Sequence, residues 1–252
     1  MNNLSMKEWR KLFEELSPTE FLKQSQWDTK KGVQQLRARA EAALRQQQFL
    51  TEEWARRNQP KRSLQSQGAI LIGGMDEAGR GPLAGPVVAA IVVLATPILG
   101  LKDSKKLSEA HREELFHQIK EEAIGYGIAW ATHEEIDEHN ILAATKLAMK
   151  RAMDKLGFQV DALLLDGTPL HLHHHEVALV GGDDRSNEIA AASILAKVTR
   201  DQWMAKMDEF YPAYGFLQHK GYGTKQHMEA LIEFGPCPIH RKSFLSFLNE
   251  RR

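Results

Sequence analysis

Two adjacent carboxylates, Asp76 and Glu77, occupy the most chemically distinctive point of this 252-residue sequence. They follow an apolar run that ends at Ile72 and precede a glycine-rich turn carrying Arg80, after which a β-branched run extends over 87–93. Carboxylates at a strand end bind hard cations such as Mg²⁺, which usually shares its oxygen ligands with substrate phosphate. Glycines let the backbone approach that phosphate closely. The pattern indicates metal-assisted phosphodiester chemistry.

Two further carboxylates stand at or just beyond the ends of later apolar runs. Asp166 ends one run and precedes Gly167, an arrangement that on its own more often forms a turn than a site. Asp183 follows the next run. Its neighbour Asp184 is the alternative for a separate role, as a residue that begins a helix and complements the helix dipole.

The adjacency of Asp76 and Glu77 raises a geometric question. Neighbours on a regular strand point to opposite faces of a sheet. We therefore expect the chain to leave strand geometry at this point, with Gly73, Gly74 and Gly79 supplying the freedom.

The rest of the sequence predicts elements that bring these acids together. Apolar runs alternate with stretches of three- and four-residue periodicity. Strands are predicted at 69–76, 86–95, 126–131, 161–166 and 176–181, and helices at 108–124, 133–156, 186–209 and 225–233. Hairpin-linked strands followed by helix-crossed strands predict a mixed α/β sheet.

The first 68 residues form a different region. Helical periodicity extends over 4–16, 21–27 and 33–54, and the polar stretch 58–68 is predicted to be a linker. This divides the chain into a helical extension with its linker, 1–68, and a catalytic domain, 69–252. The first part holds 13 Lys and Arg against 8 Asp and Glu, and the second 20 against 25. The basic extension either attracts phosphate or is a solvated helical face.

Composition limits the other possibilities. With 42% hydrophobic and 26% charged residues, the chain is an ordinary globular protein with a core. Its longest apolar stretch, 86–99, is too short for a membrane span, and no signal core is present, so we expect a cytoplasmic protein without membrane association. The single cysteine, Cys237, excludes an internal disulfide. We expect a monomer.

The motifs, taken together, resemble those of type II ribonuclease H (ribonuclease HII), in a bacterial form with an N-terminal helical extension. They occur in family order between residues 69 and 245, whereas the first 68 residues lie outside the shared part. The matching segments are 74–87, Asp103-Ser-Lys-Lys-Leu107, Leu165-Asp-Gly167, 189–201, His219-Lys-Gly-Tyr-Gly-Thr-Lys225 and Pro238-Ile-His-Arg-Lys-Ser243.

The resemblance implies a ribonuclease H-like fold, with a five-stranded mixed sheet flanked by helices and a helical C-terminal part. It implies that four acids bind Mg²⁺ or Mn²⁺ and carry catalysis: Asp76, Glu77, Asp166 and Asp183. The sequence departs from the family near Asp183, where the usual preceding lysine is absent and Glu188 replaces a small hydroxyl residue. This makes that corner more acidic than is usual in the family.

The resemblance also implies the substrate and the reaction. The RNA strand of RNA–DNA hybrids would be hydrolysed, and duplex DNA would be incised on the 5′ side of an embedded ribonucleotide, as in ribonucleotide excision repair. A two-metal mechanism would leave 5′-phosphate and 3′-hydroxyl ends. Contacts to the 2′-hydroxyl map to Gly79, Arg80, Gly81 and Tyr222, and Tyr222 has the simpler alternative of a packed loop aromatic.

Basic residues in the same motifs are candidates for phosphate contacts, of which Lys105 and Lys197 are preferred. The weaker candidates are Lys106, Lys220, Lys225, Arg241 and Lys242, and the last two have the alternative of anchoring the C-terminal part. The run His171–His175 lies in a predicted polar loop, and its spacing does not favour a zinc site. The glycine turn lacks the Lys-Ser/Thr of a nucleotide-binding P-loop.

Two rivals remain open at this point. One is the type III relative, which prefers longer hybrids and has a different N-terminal domain; the helical extension here favours type II. The other is a catalytically silent nucleic-acid-binding protein on the same fold, which would lack some of the four acids.

Overall fold

A computed structural model of the protein describes residues 4–247, whose contacts divide the chain into two compact units, 1–55 and 56–252. Three helices begin in the first unit: α1 (Met6–Glu15), α2 (Pro18–Gln24) and α3 (Lys31–Arg57). Capping boxes begin α1 and α2, where Ser5 and Ser17 each pair with a glutamate three residues later. The helical prediction for this region is confirmed.

The predicted linker is wrong in its structure. Residues Gln59–Ser66 form a helix, α4, with Pro60 in its first turn, where proline fits a helix. Leu64 is buried there with Ala69 and Ile72 in a hydrophobic cluster of the second unit. Burial of the Leu64 side chain stabilises this helix, although the polar composition of the segment suggested a loop. The domain division at residue 68 stays a prediction.

One sheet organises the second unit. Its strands are β1 (Ile72–Ala78), β2 (Val87–Leu94), β3 (Ala123–Ala131), β4 (Ala162–Asp166) and β5 (Glu176–Leu179), in the order β3-β2-β1-β4-β5. The pairs β1–β2 and β2–β3 are antiparallel, whereas β1–β4 and β4–β5 are parallel. The predicted mixed five-stranded sheet is confirmed. Because β1 and β4 run parallel, their carboxyl ends lie at one edge of the sheet.

Helices cover both faces of this sheet. They are α5 (Glu109–Glu122), α6 (His133–His139), α7 (Ile141–Leu156), α8 (Asn187–Phe210), α9 (Phe216–His219) and α10 (Lys225–Phe234). On one face, α7 packs on β2 and β3 in a cluster that includes Met75. On the other, α8 begins so close to β1 that a Cβ at Gly74 would collide with the backbone of Glu188. The strand is therefore fixed between two helices.

The predicted helix 133–156 is two helices rather than one. Asn140 interrupts it with φ 70°, and its side chain accepts hydrogen bonds from the N–H groups of Leu142 and Ala143, so that it caps α7. Beyond α8 the chain forms short helices around a second apolar cluster that includes Tyr214 and Phe216. Within residues 4–247, no helix is both long and apolar enough to cross a bilayer.

Candidate active site

The acids at the ends of β1 and β4 meet at one edge of the sheet. Met75 pairs with Leu165, and Asp76 and Asp166 are the next residue of each strand. The N–H of Glu77 donates to Asp76 Oδ1 at 2.7 Å. The parallel pairing of two strands therefore brings together carboxylates that are 90 residues apart in sequence.

The expectation that the chain leaves strand geometry at Asp76 and Glu77 is wrong. β1 continues to Ala78, which still pairs with Val88 of β2. Pairing with β4 stops at Met75, however, so the last residues of β1 have one unpaired edge. Along that edge both carboxylates reach the same pocket.

That pocket has a volume of about 440 Å³ and contains every predicted site residue except Asp183. One side carries acids, a second carries the glycine turn after β1, and two lysines and an aromatic ring complete it. Its lining is Asp76, Glu77, Ala78, Gly79, Arg80, Gly81, Ser104, Lys105, Asp166, Ser193, Lys197 and Tyr222. Five of the six matching segments thus contribute residues to this one cavity, and the sixth, 238–243, does not line it.

The acidic side of the pocket carries unbalanced negative charge. Burial raises the pKa of Asp76 well above its usual range, and repulsion from Glu77 and Asp166 raises it further. Burial also raises the pKa of Glu77, although Arg80, whose Nη1 lies 3.3 Å from Glu77 Oε1, opposes that shift. A cation bound between these carboxylates would relieve both the desolvation and the repulsion.

Asp183 lies next to this pocket and is linked to it through Asp166. It sits in a 3₁₀ turn, 182–184, whose Gly182 N–H donates to Asp166 Oδ1 at 2.6 Å. Burial raises the pKa of Asp183 to about 6, with repulsion from Asp103 and Asp166 as further causes. The sequence interpretation did not single out Asp103, although it opens one of the quoted motifs.

Asp184 has the opposite environment. Lys106 forms an ion pair with it, and Arg57 Nη2 lies 3.6 Å from its Oδ1. The hydrogen bond from Lys106 lowers the pKa of Asp184. Its charge is already balanced by protein, whereas that of Asp183 is not, and this contrast supports Asp183 as the fourth metal-binding acid.

The acidic corner around Glu188 is balanced by a lysine from α4. Glu188 is fully buried, and Lys61 Nζ lies 3.0 Å from its Oε1 while donating to the carbonyl of Leu94 at 2.7 Å. Sequence reasoning did not find Lys61 because it lies in the stretch interpreted as a linker. The acidic substitution at Glu188 is therefore accompanied by a lysine from a distant part of the chain.

The donor set fits a hard divalent cation. Within residues 4–247, no three carboxylate, imidazole or thiol groups are arranged as ligands of a single ion. Asp76, Glu77 and Asp166 nevertheless supply the carboxylate oxygens that Mg²⁺ and Mn²⁺ take. The raised pKa values of Asp76 and Glu77 show that ionisation of these two groups is unfavourable without a cation, and a bound ion would offset that cost. The residues that would hold the ions are these three and Asp183.

Lysines from the motifs divide into two groups. Lys105 and Lys197 line the pocket, and Lys197 Nζ is held by Asp201 Oδ1 at 2.7 Å. The other candidates point elsewhere: Lys106 pairs with Asp184, Lys220 donates to the carbonyl of Leu217, and Lys225 pairs with Glu229 at the surface. The preference for Lys105 and Lys197 matches this geometry, and their phosphate contacts stay a prediction.

Two serines complete the pocket without having been singled out from the sequence. Ser104 Oγ and Ser193 Oγ lie 3.0 Å apart, and Ser193 also hydrogen-bonds Asp76. Both stand inside quoted motifs, beside Lys105 and in the alanine-rich start of α8. Hydroxyls in such runs carry no charge signal, so only their position in the fold reveals them.

The His171–His175 run lies between β4 and β5. His173 Nδ1 accepts a hydrogen bond from the N–H of His175 at 3.1 Å, and the rings of His173 and His174 are 4.2 Å apart. Of the two C-terminal basic candidates, Arg241 is fully buried and bonded to backbone carbonyls, so it anchors structure rather than contacting solvent-exposed phosphate.

Comparisons with known proteins agree with this geometry. The family model described as Ribonuclease HII matches residues 73–247. A curated ribonuclease HII from Clostridioides difficile is 58% identical over 182 residues, 71% of each chain, and one from Bacillus licheniformis is 45% identical over 251 residues, 97% of each. The crystal structure of ribonuclease H2 from Pyrococcus horikoshii covers 72% of this chain and 98% of its own, with 26% identity and a TM-score of 0.61.

Proposed function

Because this chain belongs to the ribonuclease HII family, we propose that it incises duplex DNA on the 5′ side of an embedded ribonucleotide by two-metal hydrolysis. At the coarser level it is a metal-dependent endoribonuclease that degrades the RNA of RNA–DNA hybrids. The observation that carries the finer proposal is the pocket itself. Asp76, Glu77 and Asp166 face it together with the glycine turn and Tyr222.

The acidic side has the chemistry of a hydrolytic site. Two divalent cations held by Asp76, Glu77, Asp166 and Asp183 would activate a water and stabilise the charge that develops on the leaving 3′ oxygen. The protein's own contribution is to hold four carboxylates at one sheet edge, where burial and mutual repulsion favour an incoming cation. Lys105 lies beside these acids and would contact the phosphate that is cut.

The glycine turn and Tyr222, which together we call the sugar-reading side of the pocket, have the chemistry to recognise a sugar. Backbone groups of Gly79, Arg80 and Gly81 can approach a ribose closely, and the Tyr222 hydroxyl can hydrogen-bond to it. A 2′-hydroxyl is the group that distinguishes RNA from DNA at one position. We infer that these residues place the ribonucleotide so that the bond on its 5′ side meets the acids.

The products would be a 5′-phosphate and a 3′-hydroxyl, as ribonucleotide excision requires. Three helices begin in the N-terminal unit, and this favours the type II class over type III. All four acid positions are occupied, and this argues against a silent binding protein. A monomeric state and a cytoplasmic location stay predictions.

A cleavage assay tests the proposal. Two duplexes of identical sequence, one with a single ribonucleotide and one fully deoxy, are incubated with the protein and Mg²⁺, and the ends are mapped. We expect one cut on the 5′ side of the ribonucleotide and none in the deoxy duplex. Equal cutting of both duplexes, or a cut on the 3′ side, would overturn the proposal.

A further inference from the structure

The two loops that form the sugar-reading side are held together by one buried side chain. The loop 79–86 carries the glycine turn, and the loop 220–224 carries Tyr222. Arg200, on α8, lies beneath both and is 1% exposed. Its position between the loops lets it influence the shape of the pocket without lining it.

All three donor nitrogens of Arg200 bind backbone carbonyls. Nε donates to the carbonyl of Pro86 at 3.0 Å and Nη2 to that of Ala84 at 3.1 Å, both in the first loop. Nη1 donates to the carbonyl of Lys220 at 3.0 Å, in the second. The planar fork of a guanidinium can make this set of bonds, whereas a lysine ammonium on a flexible stem cannot reproduce it.

Packing around Arg200 leaves little freedom. Gly79 has φ 98°, and a Cβ there would collide with the Arg200 side chain. The guanidinium carbon also lies 5.9 Å from the centre of the Tyr222 ring. Both the glycine turn and the tyrosine therefore rest against the same side chain.

The two loops are close enough for their separation to matter. A Cβ built on Gly81 would lie 3.8 Å from Cε1 of Tyr222, and Leu83 N–H donates to the carbonyl of Gly221 at 2.8 Å. A sugar placed over the turn would thus contact the tyrosine ring. A small shift of one loop would change whether both contacts form at once.

Burial of the charged Arg200 guanidinium costs free energy that packing of the fold alone would not require. Within residues 4–247, Arg200 forms no ion pair with a carboxylate. Three carbonyl groups bind its charge directly, and Asp201 and the Tyr222 ring attract it from farther away. Charge-assisted bonds to carbonyls are directional as well as strong. The hydrogen bonds of Arg200 therefore fix the geometry between the two loops, at the expense of the free energy of folding.

We propose that Arg200 is a positioning residue that sets the spacing between the glycine turn and Tyr222, and thereby the preference for a ribonucleotide over a deoxyribonucleotide. The inference rests on the proposed function, since it assigns the control of sugar recognition at that same site. Arg200 acts through the loops and does not itself line the pocket.

Competition kinetics test this inference. KM and kcat are measured with Mg²⁺ on the single-ribonucleotide duplex, and Ki is measured for the fully deoxy duplex as competitor. For Arg200→Lys we expect the ratio of Ki to KM to fall by about tenfold, the equivalent of one hydrogen bond, through a higher KM. We expect Ki and kcat to change by less than about twofold.

Two further variants separate positioning from general damage. Arg151→Lys alters an arginine that pairs with Glu135 away from the pocket, and it should leave the ratio unchanged. In a Tyr222→Ala background, Arg200→Lys should no longer lower the ratio, because the ring that it positions is gone. An equal loss in both backgrounds would overturn the inference.

Should Arg200→Lys not fold, as judged by circular dichroism, His227→Leu provides the same test. His227 Nδ1 donates to the carbonyl of Tyr222 at 2.9 Å, so His227 is another side chain that holds this loop. A lowered ratio supports positioning of the loop, and an unchanged ratio contradicts it. Absence of any cut in the wild-type reaction would instead mean that the proposed function fails.

Discussion

The two sides of the pocket handle charge in opposite ways. On the acidic side, Asp76 and the adjacent Asp183, which lies next to the pocket, are buried carboxylates repelled by further carboxylates, so protein atoms leave their charge unbalanced. On the sugar-reading side, the buried charges are Arg200 and Arg241, and every donor of theirs that is described meets a backbone carbonyl. The acidic side needs a bound cation to balance its charge, whereas the buried arginines of the sugar-reading side already have partners within the protein.

This difference explains how a single site can both catalyse hydrolysis and select the sugar. Unbalanced charge is a binding site for ions, because the ion removes a cost that the fold has left in place. Balanced buried charge is a rigid support, because breaking any one of its bonds leaves a desolvated group without a partner. Changes on the first side should alter turnover, and changes on the second should alter stability or selectivity.

The largest expected effect comes from the acidic side. Asp76→Asn should lower kcat by about 10³-fold or more, since one carboxylate ligand and its charge are lost from a two-metal site. The free energy of unfolding should stay equal or rise, because a repelled buried charge is removed. Cleavage of the single-ribonucleotide duplex and urea unfolding measure the two quantities.

The outcome that contradicts this prediction is turnover with Mg²⁺ at more than a tenth of the wild-type rate. The matched control is Asp161→Asn, which alters an aspartate outside the pocket whose carboxylate accepts the N–H groups of Ile70 and Leu71. It should lower stability slightly and leave kcat unchanged.

The second largest effect of a substitution is expected from the buried arginines of the sugar-reading side. Arg241 is fully buried and donates to the carbonyls of Gly79, Arg80 and Gly85, and also to that of Pro86. Arg241→Lys should lower the free energy of unfolding by roughly 3 kcal/mol, since the carbonyls of Gly79, Arg80 and Gly85 lose their guanidinium donor. Urea unfolding of the full chain measures this change.

The same substitution at a surface arginine is the matched control for Arg241→Lys. Arg151→Lys, at a partly exposed ion pair with Glu135, should cost no more than about 1 kcal/mol. If the two substitutions cost the same, the buried arginine does not carry the support assigned to it.

A third effect concerns the pH dependence of stability. Burial lowers the pKa of both His227 and His240 from 6.5 to about 4, and each is surrounded by other histidines: His219 faces both, and His133 also faces His240. Their Nε2 atoms lie 2.9 Å apart, an arrangement that requires at least one neutral ring. Because the folded pKa lies below the unfolded one, this stability is present above pH 6.5 and is lost as the pH falls towards 4.

We expect the free energy of unfolding to fall by on the order of 4 kcal/mol between pH 7 and pH 5, with about half of this loss from each histidine of the pair. Urea unfolding of wild type and His227→Leu at both pH values isolates the effect, since the carboxylates of the site titrate alike in the two proteins. The same pH dependence in both would show that the pair does not titrate as described.

The smallest effect is expected at the surface. Lys225 is exposed and pairs with Glu229 at 3.7 Å on α10, outside the pocket. Lys225→Ala should change both kcat/KM and the free energy of unfolding by less than about 0.5 kcal/mol. A tenfold loss of kcat/KM would place this lysine on the path of the duplex and extend the binding surface well beyond the pocket.

Much of the site follows from the sequence because charge and strand ends leave strong local signals. Asp76, Glu77 and Asp166 stand where apolar runs stop, and parallel pairing of β1 with β4 does the rest. The five strands and the main helices follow from periodicity for the same reason. Asn140 is an exception, since a single residue with positive φ divides a continuous helical pattern.

What the sequence did not reveal depends on distant partners. Lys61 pairs with Glu188 across 127 positions, and Arg200 and Arg241 bond to carbonyls, which every residue has. No local pattern marks a residue whose partner is backbone. Composition alone also made residues 59–66 look like a loop, because one buried leucine face is a weak signal among polar side chains.

The most direct test of the account is anomalous diffraction from crystals of the protein soaked in Mn²⁺. We expect manganese peaks ligated by the carboxylate oxygens of Asp76, Glu77, Asp166 and Asp183, and loss of those peaks in Asp76→Asn crystals. Manganese bound at His171–His175 instead, or an absence of any peak beside Asp76, would contradict it.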